Sequence, residues 1–390
     1  MLGSELRIAM IPELYYPYVM GGVERRYWEV SRRLARKHEV HVFTMQPPGT
    51  QKDEEIQGVH VHRTYRFKTL YNKAGKRKIT PAVRFAWALR RRLNQVKEKF
   101  DIVDCSEFPF ISCYPAKKFA EKNDAPFIVT VHEVWGDYWN KYLENPIAAS
   151  IGRFLERRVV RWADRVIAIS KLTADSLQME FNLNPDNIHL VPNGIDLKLF
   201  THPSVNKEPF KVLYVGRLVQ HKHVDWLIEA MRYVVSEVPE ASLHIVGDGP
   251  LRSELEVLAH VRGLDRAVRF YGAMQNYADV ASQMKTASVF VSPSTVEGFG
   301  MVVLESMAAS TPAIIVNSKQ NATLEFVTNR ESGLVAEPED PISIAEAIIE
   351  LFKDTALYEK IVHRGRELAS MHSWDSVSRK LEEVYNLAVT

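Results

Sequence analysis

Short apolar runs alternate with longer segments of helical period along nearly the whole chain. Runs at residues 6–11, 40–43, 102–103, 127–131 and 166–169 have the length and composition of buried strands, with helical patterning between them. Val23, Tyr27, Val30 and Leu34 recur at helical spacing and predict one clear amphipathic helix. A second series of apolar runs follows at 212–215, 243–246, 268–271, 288–291 and 313–316, again with helices between. Such alternation predicts an α/β protein with two doubly wound parallel sheets. Between the series, V-P-N-G-I-D at 191–196 sets a proline and an Asn-Gly turn directly after a strand, and the polar stretch 201–208 follows. The first domain is therefore expected over 1–192 and the second over 193–373.

Composition narrows the picture. A chain of 390 residues with 46% hydrophobic content can bury two ordinary cores. Cys105 and Cys113 are the only cysteines and form no C-x-x-C pair, which disfavours a disulfide framework and a cysteine zinc site and fits a reducing cytoplasm. No basic, apolar and small-residue succession precedes Leu6, and no apolar stretch reaches the roughly 18 residues of a membrane span. The expectation is a cytoplasmic protein, neither exported by a conventional signal nor membrane-spanning.

Charge is uneven. Residues 62–99 hold thirteen Lys and Arg against the single acidic Glu98, so with a net charge of +2 the rest of the chain sums to about −10. Within this segment Ala86, Leu89, Leu93 and Val96 share one helical face while Arg84, Arg91 and Arg92 lie elsewhere. A basic amphipathic helix predicts docking on an anionic membrane surface, peripherally and on its inner face; the same apolar face serves equally for packing on a sheet. No nucleic-acid partner is expected.

In open α/β sheets ligands bind beyond the carboxyl ends of the strands, which directs attention to the loops that follow them. After the 288–291 run, S-T-V-E-G-F-G-M-V-V-L-E supplies a loop and then helix-forming residues from Met301 onward. Gly298 and Gly300 allow close backbone approach, and the free amides near 300–303 favour an anion. Glu297 in the loop and Glu305 one turn inside the helix are carboxylates suited to the hydroxyls of two rings on either side of a phosphate, the layout of a nucleotide sugar. Taken singly, Glu305 also reads as a helix-dipole partner and Glu297 as a solvated loop residue.

Other loops carry related chemistry. Gly21 and Gly22 open the helix after the first strand, and Gly216, Arg217 and Lys222 follow the first strand of the second series, two cations suited to a diphosphate. Gly247-Asp248-Gly249-Pro250 makes a tight turn that is not a dinucleotide fingerprint, which disfavours dehydrogenase chemistry. His60 with His62, and His221 with His223, lack a third clustered ligand, so no metal site is expected; Asn321-Ala322-Thr323 spells a glycosylation sequon that a cytoplasmic chain would not use.

P-x-x-G-G-x-E near the start, V-P-N-G-I-D, V-G-R-L with its following Lys, H-I-V-G-D-G-P, V-R-F-Y-G, S-P-S-x-x-E-G-F-G-M-V-x-x-E and a late S-W occur in that order. Together they resemble glycosyltransferase family 4, the retaining GT-B enzymes, also called glycosyl transferases group 1, over residues 7–387. The resemblance implies a GT-B fold, two Rossmann-like doubly wound domains facing across a cleft, with the last helix, 374–390, crossing back to the N-terminal, acceptor-binding domain. It implies that Glu305 holds the donor ribose, and that Glu297 with the backbone of Phe299, Gly300 and Met301 holds the hexose, flanked by Gly298 and Val302. Arg217 and Lys222 would bind the diphosphate beside Gly216 and Gly249, with Gly21 and Gly22 opposite. His132 would lie near the transferred sugar, and Tyr271 would cradle the base through its main chain. His132, Arg217, Lys222 and Glu297 are thus the candidate catalytic residues.

One residue departs from the family pattern, since His223 stands where Gly usually follows the lysine, leaving the aim of Lys222 open. The chain contains no D-x-D, so the expected activity is a metal-independent hexosyltransferase with no cofactor, using a UDP- or GDP-hexose as co-substrate. A lipid-linked or glycan acceptor is expected from the basic segment. A GT-B-like nucleotide-sugar epimerase and a catalytically silent nucleotide-sugar-binding protein are the alternatives.

Overall fold

The computed structural model describes residues 5–18, 21–70, 78–136, 138–142, 145–201 and 205–390. The chain forms two compact units, Met1–Gly194 with Trp374–Thr390, and Ile195–Ser373.

The first unit is built on an eight-stranded sheet of β1 (Arg7–Ile11), β2 (Glu39–Gln46), β3 (Asp53–Ile56), β4 (Val59–Arg66), β5 (Ile102–Ser106), β6 (Phe127–Val131), β7 (Arg165–Ala168) and β8 (Ile188–Leu190). Its order is β3-β4-β2-β1-β5-β6-β7-β8, parallel except for the β3–β4 hairpin. β5 and β6 are buried along their whole length, as parallel strands covered on both faces must be, and this is why they read as unbroken apolar runs. The sequence reading contained no strand at β3: Asp-Glu-Glu-Ile is too acidic to suggest one, and it pairs because Gln57 (φ 50°) and Gly58 (φ 80°) make a left-handed turn that matches hairpin twist.

The predicted amphipathic helix is Gly22–Leu34, with Tyr27, Val30 and Leu34 buried. The last helix, Trp374–Val389, packs within this unit: Arg33 Nε pairs with Asp375 Oδ1 at 2.7 Å, and Tyr385 donates its hydroxyl to Asp104 Oδ2 at 2.5 Å. Asn193 and Gly194 remain with the first unit rather than opening the second. Arg26 donates to the Pro192 carbonyl at 2.8 Å and to Asn193 Oδ1 at 2.9 Å, and a Cβ on Gly194 would lie 2.8 Å from Trp374 N.

The second unit contains β9 (Lys211–Val215), β10 (Ser242–Val246), β11 (Val268–Gly272), β12 (Val289–Ser292), β13 (Val296–Glu297), β14 (Ala313–Val316), β15 (Gln320–Asn321) and β16 (Leu334–Ala336). Six of them form a parallel sheet in the order β11-β10-β9-β12-β14-β16, and β13 pairs separately with β15. Leu243, Ile245, Val289 and Ile314 are buried against Leu227, Ile228 and Met231 of the Val224–Glu237 helix. Burying each such side chain stabilises by roughly 2 kcal/mol. The chain order reverses across β9, whose neighbours are β10 and β12. The loops after β9 and β12 therefore leave the sheet side by side, at the switch point where such sheets take ligands.

Candidate active site

The two loops meet through side chains. Lys222, in a single 3-10 turn (Gln220–Lys222) after β9, places Nζ 2.6 Å from Glu297 Oε2, and each side chain is only 14% exposed. A largely desolvated pair of this kind holds both groups in one geometry. Sequence reading assigned these residues to different parts of a ligand; the structure joins them. His223 shows how Lys222 is aimed: it adopts the left-handed conformation (φ 47°, ψ 45°) in which a glycine is cheapest, so the turn survives the substitution. Its ring stacks on Trp226 with centroids 3.7 Å apart, and Nε2 lies 3.0 Å from Thr295 Oγ1, tying this turn to the β12 loop. Thr295 N–H in turn donates to the His221 carbonyl at 3.1 Å. Burial, reinforced by Lys222 and Arg217, presses His221 down to about 3, so its imidazole is neutral at neutral pH. Arg217 is exposed, and among the described residues no carboxylate pairs with its guanidinium.

Backbone closeness explains the glycines. Gly216 N–H donates to the Val246 carbonyl at 3.0 Å, and a Cβ on Gly247 would sit 1.8 Å from the Gly216 carbonyl oxygen, so the loops after β9 and β10 touch backbone to backbone. Gly249 lies next to the Leu218 main chain in the same way. In β11 the pairing passes from Phe270 to Gly272, leaving Tyr271 as the extra residue of a bulge; its hydroxyl lies 3.1 Å from His244 Nδ1.

Gly300 precedes the Met301–Ala308 helix with φ 79°, and a Cβ there would meet Thr323 Cγ2 at 2.2 Å. The first-turn amides of Met301 and Val302, next to Gly298 and the buried Phe299, thus start a helix whose entry is shaped by Thr323. Thr323 is held by Asn321, whose Nδ2 donates to the Ser294 and Val316 carbonyls, both at 3.1 Å. The sequon asparagine is thus a buried brace under the Glu297 loop. Glu305 is fully buried, and Tyr277 donates its hydroxyl to Glu305 Oε2. Sequence reading missed Tyr277; at the start of the Tyr277–Thr286 helix it carries no local signal of its partner.

In the first unit, His132 follows β6 directly. Its backbone N–H donates to Glu107 Oε1 at 2.8 Å, and its Nε2 is buried without a hydrogen-bond partner among the described residues. Burial, with the Arg26 charge adding to it, pushes His132 down to about 3, so the ring is a neutral imidazole across the physiological range. Burial likewise raises Glu107 to about 8. Asp104 accepts from Tyr27, Thr130 and Tyr385, and its carboxyl is also raised by burial. Gly21 is extended (φ −150°) and Gly22 is the first residue of its helix.

The helix expected in the basic segment spans Ile79–Gln95. Ala86, Leu89 and Leu93 are buried and Val96 packs beside them, so the predicted face does cover the sheet. The opposite side exposes Ile79, Val83 and Trp87, with Arg91 over the Trp87 ring at 4.8 Å. Residues 71–77 of the segment lie outside the described residues. Among the described residues no helix is long and apolar enough to cross a membrane. One group of three, Glu39, His41 and His60, brings potential metal-ligand atoms within 4.8 Å of one another.

The chain is similar to known proteins along nearly its whole length. Residues 20–199 match the family model for Glycosyltransferase Family 4, and residues 198–368 match that for Glycosyl transferases group 1. An uncharacterized glycosyltransferase of Methanocaldococcus jannaschii is 27% identical over 98% of this chain and 99% of its own. A sucrose-phosphate synthase from Thermosynechococcus elongatus superposes with TM-score 0.80 at 21% identity, covering 98% of this chain and 99% of its own. The Anabaena protein HepE, solved in complex with UDP-glucose, superposes with TM-score 0.75 at 17% identity over 97% of this chain and 99% of its own.

Proposed function

The chain belongs to the GT-B glycosyltransferases, family 4 in its first half and group 1 in its second, and uses a nucleotide sugar; from that premise we propose that it is a retaining hexosyltransferase acting from a UDP- or GDP-hexose without a metal. The carrying observation is the Lys222–Glu297 pair beside the Gly300 helix entrance, with the exposed Arg217 guanidinium, which has no carboxylate partner among the described residues. A lysine ammonium has three donors, so Lys222 can keep Glu297 and still bond a diphosphate oxygen. Arg217 adds a second cation, and the Met301 and Val302 amides add helix-terminal donors. Charge grows on the departing diphosphate in the transition state, and groups fixed beforehand stabilise it at little reorganisation cost.

In the proposed reaction the bond from the anomeric carbon to the diphosphate oxygen breaks and a bond to the acceptor oxygen forms on the same face, while the acceptor proton passes to the leaving phosphate. Glu297 takes hexose hydroxyls rather than acting as a nucleophile. Glu305 is assigned to the ribose, and since it is buried against Tyr277, the ribose replaces or joins that hydroxyl in holding it. A neutral His132 with an unpartnered Nε2 suits a hydrogen bond to a sugar hydroxyl. Tyr271, at its bulge, supplies main-chain contacts to the base.

A membrane-associated acceptor is favoured by the apolar residues exposed on two cationic helices, Ile79–Gln95 and Pro146–Trp162. Incubation with UDP- and GDP-hexoses, with and without membrane extract, tests the reading through nucleoside diphosphate release. Acceptor-dependent release with retained anomeric configuration is expected. Epimer formation would replace it with an epimerase, and binding without turnover with a silent module.

A further inference from the structure

The N-terminal ends of β2 and β4 bring His60 beside Glu39 and His41. His41 pairs in register with His60, and Glu39 lies two residues before His41, on the same face of β2. In sequence only His62 accompanies His60 as a candidate ligand; the neighbouring strand supplies the missing partners. The cluster lies at the opposite end of the sheet from His132, which follows the carboxyl end of β6.

His62 bridges to the cluster: its Nε2 lies 3.0 Å from His41 Nδ1, and its Nδ1 lies 2.7 Å from Asp53 Oδ1 and 3.0 Å from Arg92 Nη2. His41 Nε2 lies 2.9 Å from Glu39 Oε1, so a cation bound there takes the place of the proton that the two atoms otherwise share. The second carboxylate oxygen, Oε2, is already held by Arg7 Nε at 2.7 Å, which fixes the orientation of Glu39. The His60 ring lies 4.7 Å from the His41 ring, centroid to centroid, and among the described residues makes no hydrogen bond. Phe43 and Phe100 wall the histidines, which raises the cost of leaving charge there uncompensated.

We propose that Glu39, His41 and His60 form a site for a divalent transition metal of the zinc class. Two imidazoles and one carboxylate are a borderline donor set that suits Zn²⁺ over Mg²⁺ or Ca²⁺, with a fourth position left to water. The ligand atoms already lie within 4.8 Å of one another. Tetrahedral ligands at about 2.0–2.1 Å from the ion stand about 3.3 Å apart, so rotation of the half-buried His60 ring closes the set. His62 Nε2, 3.0 Å from His41 Nδ1, is the outer partner such a site requires: with the ion on His41 Nε2, His41 Nδ1–H donates to it. Placed away from the switch points, the ion staples β2 to β4 and does not enter the transfer reaction.

The test is titration of the chelator-treated, dialysed full chain with ZnCl₂, followed by calorimetry and by thermal melting. One ion per chain and a raised Tm are expected. His60→Ala, which removes no hydrogen bond, should weaken binding at least tenfold and abolish the Tm gain, and Glu39→Gln should weaken it similarly. His62→Phe, removing only the outer partner, should weaken it about 10-fold or more. Co²⁺ at the same site should give the absorption of a low-symmetry nitrogen and oxygen set. Absence of one-to-one binding, or binding that His60→Ala and Glu39→Gln leave unchanged, overturns the proposal. Loss confined to His221→Ala or His223→Ala would also overturn it, moving the ion to the second unit.

Discussion

Arg217 and Lys222, both assigned to the diphosphate, differ in what their removal leaves behind. Arg217 is exposed and has no acidic partner among the described residues, so Arg217→Ala orphans nothing: folded stability should change by no more than about 0.5 kcal/mol. Losing a charge-assisted contact of about 1.5–3 kcal/mol should instead raise the donor KM about 10- to 100-fold. Lys222→Ala strips Glu297 of the cation 2.6 Å away, so Tm and turnover should fall together. Melting curves beside steady-state kinetics separate the two patterns; equal effects on stability would contradict the pairing. Glu107 extends the argument to pH. Its folded-state carboxyl titrates at about 8 and the unfolded one near the ordinary value of 4.5, so between those values the folded state holds more protons and stability falls as pH rises. Glu107→Gln keeps the acceptor for the His132 amide without the ionisation. The variant should gain on the native chain from pH 4.5 to 8 by up to about 5 kcal/mol and then level off. Urea unfolding across that range measures it, and a constant difference would place Glu107 in contact with water.

The helix entrance at Gly300 is set by an element with almost no sequence signal. β15 is two residues long, yet its Asn321 braces the β12 loop and positions Thr323 against Gly300. Gly300→Ala should therefore act twice, through a left-handed backbone costing roughly 1–2 kcal/mol and through the methyl at 2.2 Å. Thr323→Ser removes that methyl and keeps the hydroxyl bonded to Asn321. The double variant should regain part, not all, of the lost donor affinity, as isothermal titration with nucleoside diphosphate would measure; no recovery would mean the clash is absorbed elsewhere. Gly300 also marks what was readable beforehand. The β12 strand, the glycine loop and the helix from Met301 were legible because apolar runs, turn residues and helix formers each leave local traces. Tyr277 against Glu305, and Glu39 beside His60, were not, since such meetings depend on strand order and helix packing and leave no trace at either residue. His223 lies between these cases: its departure from glycine was visible, but its stacking on Trp226, which preserves the turn, was not.

At the scale of the molecule, a net charge of +2 conceals a strongly cationic first unit. The Ile79–Gln95 helix buries one apolar stripe and exposes another, Ile79, Val83 and Trp87, with Arg84, Arg90 and Arg91 around it. The Pro146–Trp162 helix repeats the design: Ile147, Ile151 and Phe154 are exposed at helical spacing beside Arg153, Arg157 and Arg158, while its one acidic residue, Glu156, is buried on Trp135 and Trp139. On the proposed membrane reading, these exposed aromatic and aliphatic groups ringed by arginines set apolar tips in the acyl boundary and guanidiniums against anionic headgroups. Each cation near such a surface contributes about 1 kcal/mol. Charge reversal at Arg90 and Arg91 with Arg84→Glu should then weaken binding to anionic liposomes by at least about a hundredfold. Trp87→Ala with Phe154→Ala should weaken it at low salt too, where an electrostatic contact alone would persist, because screening shortens to about 8 Å only at physiological ionic strength. Neither set touches the second unit, so turnover with a soluble acceptor analogue should stay unchanged while turnover on membrane extract falls. Native protein that fails to sediment with anionic liposomes would reject the membrane reading and leave a soluble sugar as the acceptor.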